Sequence, residues 1–252
     1  MRKTKASRNS LAQISNSDID GIAASIEVRR HPAARRLTLR VSRTRRAVIV
    51  TLPVQCGLDE AGNFLNRNID WVRERLDTIP EPVPFHNGTR IPIRGKIHRI
   101  LMPGYPTRQR AVRVQGADPL PELFVPGSLN EAQARLRSWL GREARRDLHT
   151  SVARHADRLG VVARGIAIRD QSSRWGSCST TGMLSFSWRL ILAPSFVLDY
   201  VAAHEVAHLR EMNHGPQFWS LVRQTCPQMD EAKFWLRRCG MDLHRYGIDG
   251  AG

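Results

Sequence analysis

Lysine is almost missing from this sequence. Only Lys3, Lys5, Lys96 and Lys233 occur, so the formal charge of +16 rests almost wholly on arginine. Cysteine is scarce too: Cys56, Cys178, Cys226 and Cys239 stand far apart, with no C-x-x-C pair of the kind that builds a zinc ribbon or a dithiol redox centre. Scattered thiols of this kind fit a reducing, cytoplasmic setting. No apolar run approaches the roughly 20 residues of a membrane span. The longest, around Leu190 to Ala203, is broken by Pro194 and Asp199. Near the start, Leu11 to Ile14 is too short for a secretory apolar core and is soon followed by Asp18 and Asp20, so no export signal is expected. No internal repeat is visible. With 252 residues, 41% of them apolar, the chain can bury one large core or two small ones.

The arginine excess has two readings. It favours polyanions, nucleic acid above all, or arginine simply replaces lysine as the general surface cation. Residues 1 to about 20 are polar and basic and lack the apolar groups to offset ordering entropy, so a disordered tail is expected there. From Ile26 the pattern alternates: Leu37, Leu39 and Val41 fall on one side of a strand and Arg36, Thr38 and Arg40 on the other, with a second strand over Arg46 to Leu52. Phe64, Leu65, Ile69, Trp71, Val72 and Leu76 recur at helical spacing, predicting one core-packed helix over 58–77. The proline-rich Pro80 to Pro84 reads as a connector. Short strand-like runs follow from Thr89 to Val125. A long helix is expected from Leu129 to Leu159, capped by Ser128 or Asn130 and stopped by Gly160.

Ile166 to Asp170 and Leu184 to Ile191 read as two strands of a hairpin, joined through Arg174-Trp175-Gly176-Ser177-Cys178 and a turn at Thr181-Gly182. The next helix starts near Pro194 or Ser195 and is apolar nearly all round, the mark of burial. It carries His204-Glu205-Val206-Ala207-His208. Residues four apart on a helix lie about 6 Å apart along one face, so both imidazoles can reach one metal ion and Glu205 can reach its water. His214 supplies a third nitrogen only if the chain leaves helical geometry first. Asn213 is expected to do so in a left-handed conformation, with Gly215 and Pro216 behind it. Three nitrogen ligands on Zn²⁺ leave an open fourth position, which marks a catalytic site and not a structural one. The spacing equals that of metzincins, but Glu211 stands where those place glycine, and Met229 reads as ordinary packing. Cys178 is an alternative third ligand. Tyr200, Arg174 and Arg189 are candidates for stabilising an oxyanion, and the sequence does not choose among them.

Arg174-Trp175-Gly176-Ser177-Cys178-Ser179, Trp188-Arg189-Leu190-Ile191, Pro194, Asp199-Tyr200-Val201, His204-Glu205, His208-Leu209, Asn213-His214 and Phe218-Trp219 closely resemble the YgjP-like metallopeptidase-domain family. Weaker similarity extends over most of residues 25 to 240. The resemblance implies a zincin-like fold with His204, His208 and His214 as zinc ligands and Glu205 as catalytic base. It also implies kinship with SprT-type and Wss1-type proteases, whose H-G-x-x-F pattern His214-Gly215-Pro216-Gln217-Phe218 fits. Val206, where leucine is common, and Phe186-Ser187, where asparagine often precedes tryptophan, are mild departures.

The expectation is therefore an α+β protein: a disordered basic tail over 1–20, a β-rich part with one helix over 21–127, a zincin-like metallopeptidase domain over 128–245 and a flexible tail over 246–252. Its expected activity is zinc-dependent hydrolysis of peptide bonds in a protein or peptide substrate. The strand at Leu184 to Ile191 is expected to offer its edge to that substrate. Two alternatives remain open: a zinc-dependent hydrolase of a small amide, and a basic nucleic-acid-binding protein with a structural zinc.

Overall fold

A computed structural model describes the backbone of residues 11–13 and residues 24–105, 111–171 and 173–248. Most of the expected 1–20 tail, and 249–252 of the expected 246–252 tail, lie outside these. Leu11–Gln13 is a correction within that tail, since it forms β1 and pairs with β2 (Ser25–Arg30). The chain is a mixed α/β protein with small sheets and six helices, divided into compact units over 1–81 with 251–252 and over 82–250.

In the first unit a four-stranded sheet has the order β1-β2-β4-β3, with β3 at Thr38–Ser42 and β4 at Ala47–Leu52. Strand alternation does what the sequence requires: Thr38 and Arg40 are exposed, while Leu39 and Val41 face Val48, Val50, Leu65 and Val72. The single helix expected over 58–77 is two, α1 (Leu58–Arg67) and α2 (Ile69–Asp77). Asn68 breaks it by donating its side-chain amide to the Phe64 carbonyl at 2.8 Å, the local competition that asparagine offers a helix. Trp71 also departs from the core-packing expectation: it is 39% exposed, with the Arg75 guanidinium over its ring.

The second unit begins at Pro82, inside the expected connector, and not at residue 128. The reason is burial. Phe85, Ile91, Ile93, Ile100 and Leu123 share one core cluster with Leu136, Leu140, Leu184 and Val201. A sheet of order β5-β6-β8-β7 supplies them, with β5 at Arg90–Ile93, β6 at Lys96–Leu101, β7 at Arg113–Gln115 and β8 at Glu122–Phe124. Its β5–β6 turn uses positive φ at Arg94 (52°) and Gly95 (79°). The Arg94 amide donates to the Ile191 carbonyl at 2.7 Å. Its guanidinium binds Asp147 at 2.7 and 2.9 Å and Glu143 at 2.8 Å. A Cβ on Gly95 would lie 3.1 Å from Pro194, the residue that opens the next helix but one. This hairpin tip thus fixes the N-terminal end of that helix.

Helix α3 (Leu129–Leu159) has the expected limits, with the Glu131 carboxylate accepting from the Ser128 amide at 3.1 Å and left-handed Gly160 at its end. The expected hairpin partner is corrected. Strand β9 (Gly165–Arg169) runs parallel to β11 (Met183–Ser187), and the hairpin is made by β10 (Gly176–Cys178) with β11. Because β11 is the middle strand, it has no open edge for a substrate; β10 has one. Nor does the strand run to Ile191. Ser187 caps a 3₁₀ turn over Trp188–Leu192 by accepting from the Arg189 amide, and Arg189 is drawn inward to Asp170 and the carbonyls of Leu243 and Tyr246.

Candidate metal centre

Helix α4 (Ser195–Ala207) packs against α3, β10, α5 (Pro216–Thr225) and α6 (Met229–Cys239). Being covered on so many sides, it is apolar nearly all round, and Val197, Val201, Ala202, Ala203, Val206 and Ala207 are buried. His204 sits within its last turn and His208 caps its C-terminus. The regular helix ends there, earlier than expected. Leu209 and Arg210 close tight turns onto Val206 and Ala207, and Asn213, whose amide donates to the Glu211 carboxylate at 2.9 Å, is not left-handed. This tightening does the work assigned to Asn213. It brings His214 back beside the helix before Pro216 starts α5.

The potential ligand atoms of His204, His208 and His214 lie within 4.8 Å of one another. His204 Nε2 and His214 Nε2 are 3.1 Å apart. Two nitrogens bound tetrahedrally at about 2.0–2.1 Å would stand about 3.3 Å apart, so the pair is close to ligand spacing. His208 Nδ1 lies 3.2 Å from the Glu211 carbonyl; as donor it leaves Nε2 with a lone pair. Phe218, fully buried in the first turn of α5, stacks on His208 with centroids 4.5 Å apart and meets His204 and His214 edge-on at 4.9 and 4.7 Å. The fixed φ of Pro216 and the short reach from Gly215 place that ring under the three imidazoles.

Electrostatics suit a cation. Burial first, then the neighbouring histidines and Lys233, push His204 down to about 3, and burial also lowers His208. Both are therefore neutral near pH 7, as metal ligands must be. Glu205 is only 5% exposed, and among the described residues no hydrogen-bond donor meets its carboxylate. Burial lifts it to about 7, with Arg174 opposing. A buried carboxylate without a donor is costly, and a metal with its water would relieve it. The three nitrogens and this carboxylate fit such an ion.

Gly176 is the residue that sequence reasoning quoted but did not explain. A Cβ there would stand 2.5 Å from Glu205 Oε1 and 2.6 Å from its Cγ, so only glycine on β10 leaves room for the carboxylate. The signal was the Gly in Trp175-Gly176-Ser177, a small residue within a strand, which often marks close approach of another group. Cys178 is not among the clustered ligands; its thiol donates to the Ser179 carbonyl, and burial raises its pKa. Tyr200 is buried, its phenol raised to about 12 chiefly by burial, with its ring edge-on to His204 at 6.0 Å. Arg189 is occupied elsewhere, as above, and Arg174 is exposed. Met229 is core packing, as expected. Beside His208 runs a cleft of about 410 Å³, bordered by Val161, Ser179, Gly182, Leu209 and Met212.

Three imidazoles around one point, with a buried carboxylate beside them, make a candidate metal centre. Residues 35–239 match the description YgjP-like, metallopeptidase domain, and the chain belongs to that family. The metallopeptidase zymogen abylysin of Pyrococcus abyssi is 22% identical, covering 40% of this chain and 99% of that one, with a TM-score of 0.34. Jannalysin of Methanocaldococcus jannaschii, also a metallopeptidase zymogen, is 20% identical over 36% and 88%, with a TM-score of 0.33. No curated protein matches. Among the described residues no helix is long and apolar enough to cross a membrane.

Proposed function

We propose that this chain is a zinc-dependent peptidase of zincin-like architecture, in which His204, His208 and His214 hold Zn²⁺ and Glu205 is the general base. The observation that carries the reading is the convergence of three imidazole nitrogens within 4.8 Å beside a buried, undonated carboxylate. Bound zinc would supply a Lewis acid for the peptide carbonyl and a water whose pKa falls to about 7. Glu205, on β10's side of the centre, accepts a proton at its carboxylate from that water. It holds the proton at a carboxylate only 5% exposed, lying against Gly176, and would then deliver it to the leaving amine nitrogen. Phe218 keeps the imidazoles in place and excludes water from their inner side. The open edge of β10 is the strand position at which an extended peptide would pair.

No observation favours the small-amide alternative over peptide hydrolysis. The nucleic-acid alternative rests on the charge of exposed arginines such as Arg35, Arg36 and Arg40. Glu205→Gln separates the readings. It is expected to keep one zinc per chain and to lower peptide cleavage by about 10²–10⁴-fold. Cleavage at the wild-type rate by the zinc-loaded variant would remove Glu205 from the reaction.

A further inference from the structure

Lys233 is half-buried on α6, and its Nζ lies 4.2 Å from the centroid of the Trp219 ring. That ring is fixed on its other side. Trp219 Nε1 donates to the His214 carbonyl at 3.1 Å, and the ring centroid is 5.8 Å from those of both His204 and His214. The ammonium therefore stands one aromatic ring away from the three-histidine centre.

Other inward cations of this unit are spoken for. Arg94 holds Asp147 and Glu143, and Arg189 holds Asp170 and two carbonyls. Among the described residues no carboxylate and no hydrogen-bond acceptor meets Lys233 Nζ, although Asp230 precedes it on α6. The indole face attracts the cation by its quadrupole and so positions it, but accepts none of its three hydrogen bonds. An ammonium seated on a ring in this way keeps its three donors for an incoming acceptor, and lysine's flexible point charge suits a carboxylate arriving at varied angles.

We propose that Lys233 receives a carboxylate of the substrate beside the three-histidine centre, so that the enzyme favours peptides presenting a negative charge there. The assignment rests on the peptidase reading. A carboxylate can come from the peptide's C-terminus or from an aspartate or glutamate side chain, and both offer the same two oxygens.

The test uses the full zinc-loaded chain carrying Glu205→Gln, which binds without turnover. Four labelled peptides of one sequence differ in having glutamate or glutamine at one position and a free or amidated C-terminus. By fluorescence anisotropy, the carboxylate member of one pair is expected to bind about tenfold tighter than its neutral counterpart. The pair that discriminates names the source. Lys233→Met keeps an apolar stem over Trp219 and is expected to bring the ratio close to one, whereas Lys233→Arg retains most of it. With Glu205 restored, Lys233→Met is expected to raise KM for the charged peptide more than it lowers kcat. Equal affinity for charged and neutral peptides, or an unchanged ratio in Lys233→Met, overturns the assignment. Charge-selective binding that needs Lys233 in a wild type that cleaves no peptide upholds it and sinks the peptidase reading; cleavage without charge preference does the reverse.

Discussion

The two compact units differ in how far they take charged groups inside. In the first, Arg35, Arg36, Arg40 and Arg43 are exposed and Glu27 lies, partly buried, between Arg29 and Arg45, while the core is a set of valines and leucines against two short helices. The second takes charge inside. Glu143, His155, Arg189, Glu205 and His244 are all buried there. Most of these have an evident partner: Glu143 with Arg94 and Arg146, His155 with Asp199, Arg189 with Asp170 and two carbonyls. Glu205 does not. Buried ionic groups are thus common in the second unit, and among the described residues the lack of a hydrogen-bond donor is what sets Glu205, the proposed base, apart from the paired ones.

Glycine substitutions sharpen this contrast most. Gly176→Ala forces the Glu205 carboxylate aside and is expected to cost peptide cleavage at least tenfold, with zinc content unchanged. Shortening the acid in Gly176→Ala/Glu205→Asp is expected to recover part of the loss in kcat, which a general folding defect would not permit. Gly62 in α1 is the counterpart: a Cβ there meets nothing within 4 Å, so Gly62→Ala is expected to stabilise the first unit by about 0.5–1 kcal/mol in urea unfolding. If both alanines behave alike, the close approach at Gly176 has no functional meaning.

Acid titration probes the buried histidine of the second unit. His244 stacks on Trp175 and is lowered to about 4, by burial first and then by the Arg189 charge. Below about 6.5 the unfolded chain binds a proton that the folded chain does not, so stability rises with pH between about 4 and 6.5. That contribution is present in full above the unfolded value and lost as pH falls toward 4, and it amounts to about 3 kcal/mol. His244→Asn is expected to flatten the curve over that window when unfolding is followed in the metal-free protein. An unchanged slope would mean that His244 protonates in place.

Ion pairs give the smaller effects. Arg94→Ala removes the closest partner of Asp147, leaving Arg146 at 3.9 Å, and one partner of Glu143, and is expected to destabilise by about 2 kcal/mol. Arg45→Ala removes a half-exposed guanidinium and leaves the partly buried Glu27 with Arg29, and is expected to change stability by less than about 1 kcal/mol. Comparable losses would erase the difference between the units.

Local periodicity made much of this readable beforehand. Helix α3 kept its ends at Ser128 and Gly160, and strands β3 and β4 followed their alternation, because such signals lie within a few residues of one another. The three histidines were legible for the same reason: four-residue helical spacing plus a break before His214. What was missed depends on partners distant in sequence. The assignment of 82–127 to the second unit follows from Phe85 and Ile91 meeting Leu136 and Leu184, and the inward turn at Trp188 follows from Arg189 reaching carbonyls more than 50 residues later. The place of β9 beside β11, the closeness of Gly176 to Glu205 and the seat of Lys233 on Trp219 are likewise long-range. The helix break at Asn68 is local, and its side-chain bond to Phe64 was a signal that hydrophobic spacing masked.

Metal content of the purified full chain, dialysed against zinc-free buffer, tests the central claim most directly. The wild type is expected to retain one zinc per chain, and His214→Ala to lose most of it while keeping its fold by far-ultraviolet circular dichroism. Equal zinc in the two proteins, or none in the wild type after reconstitution with excess zinc, would contradict a three-histidine centre.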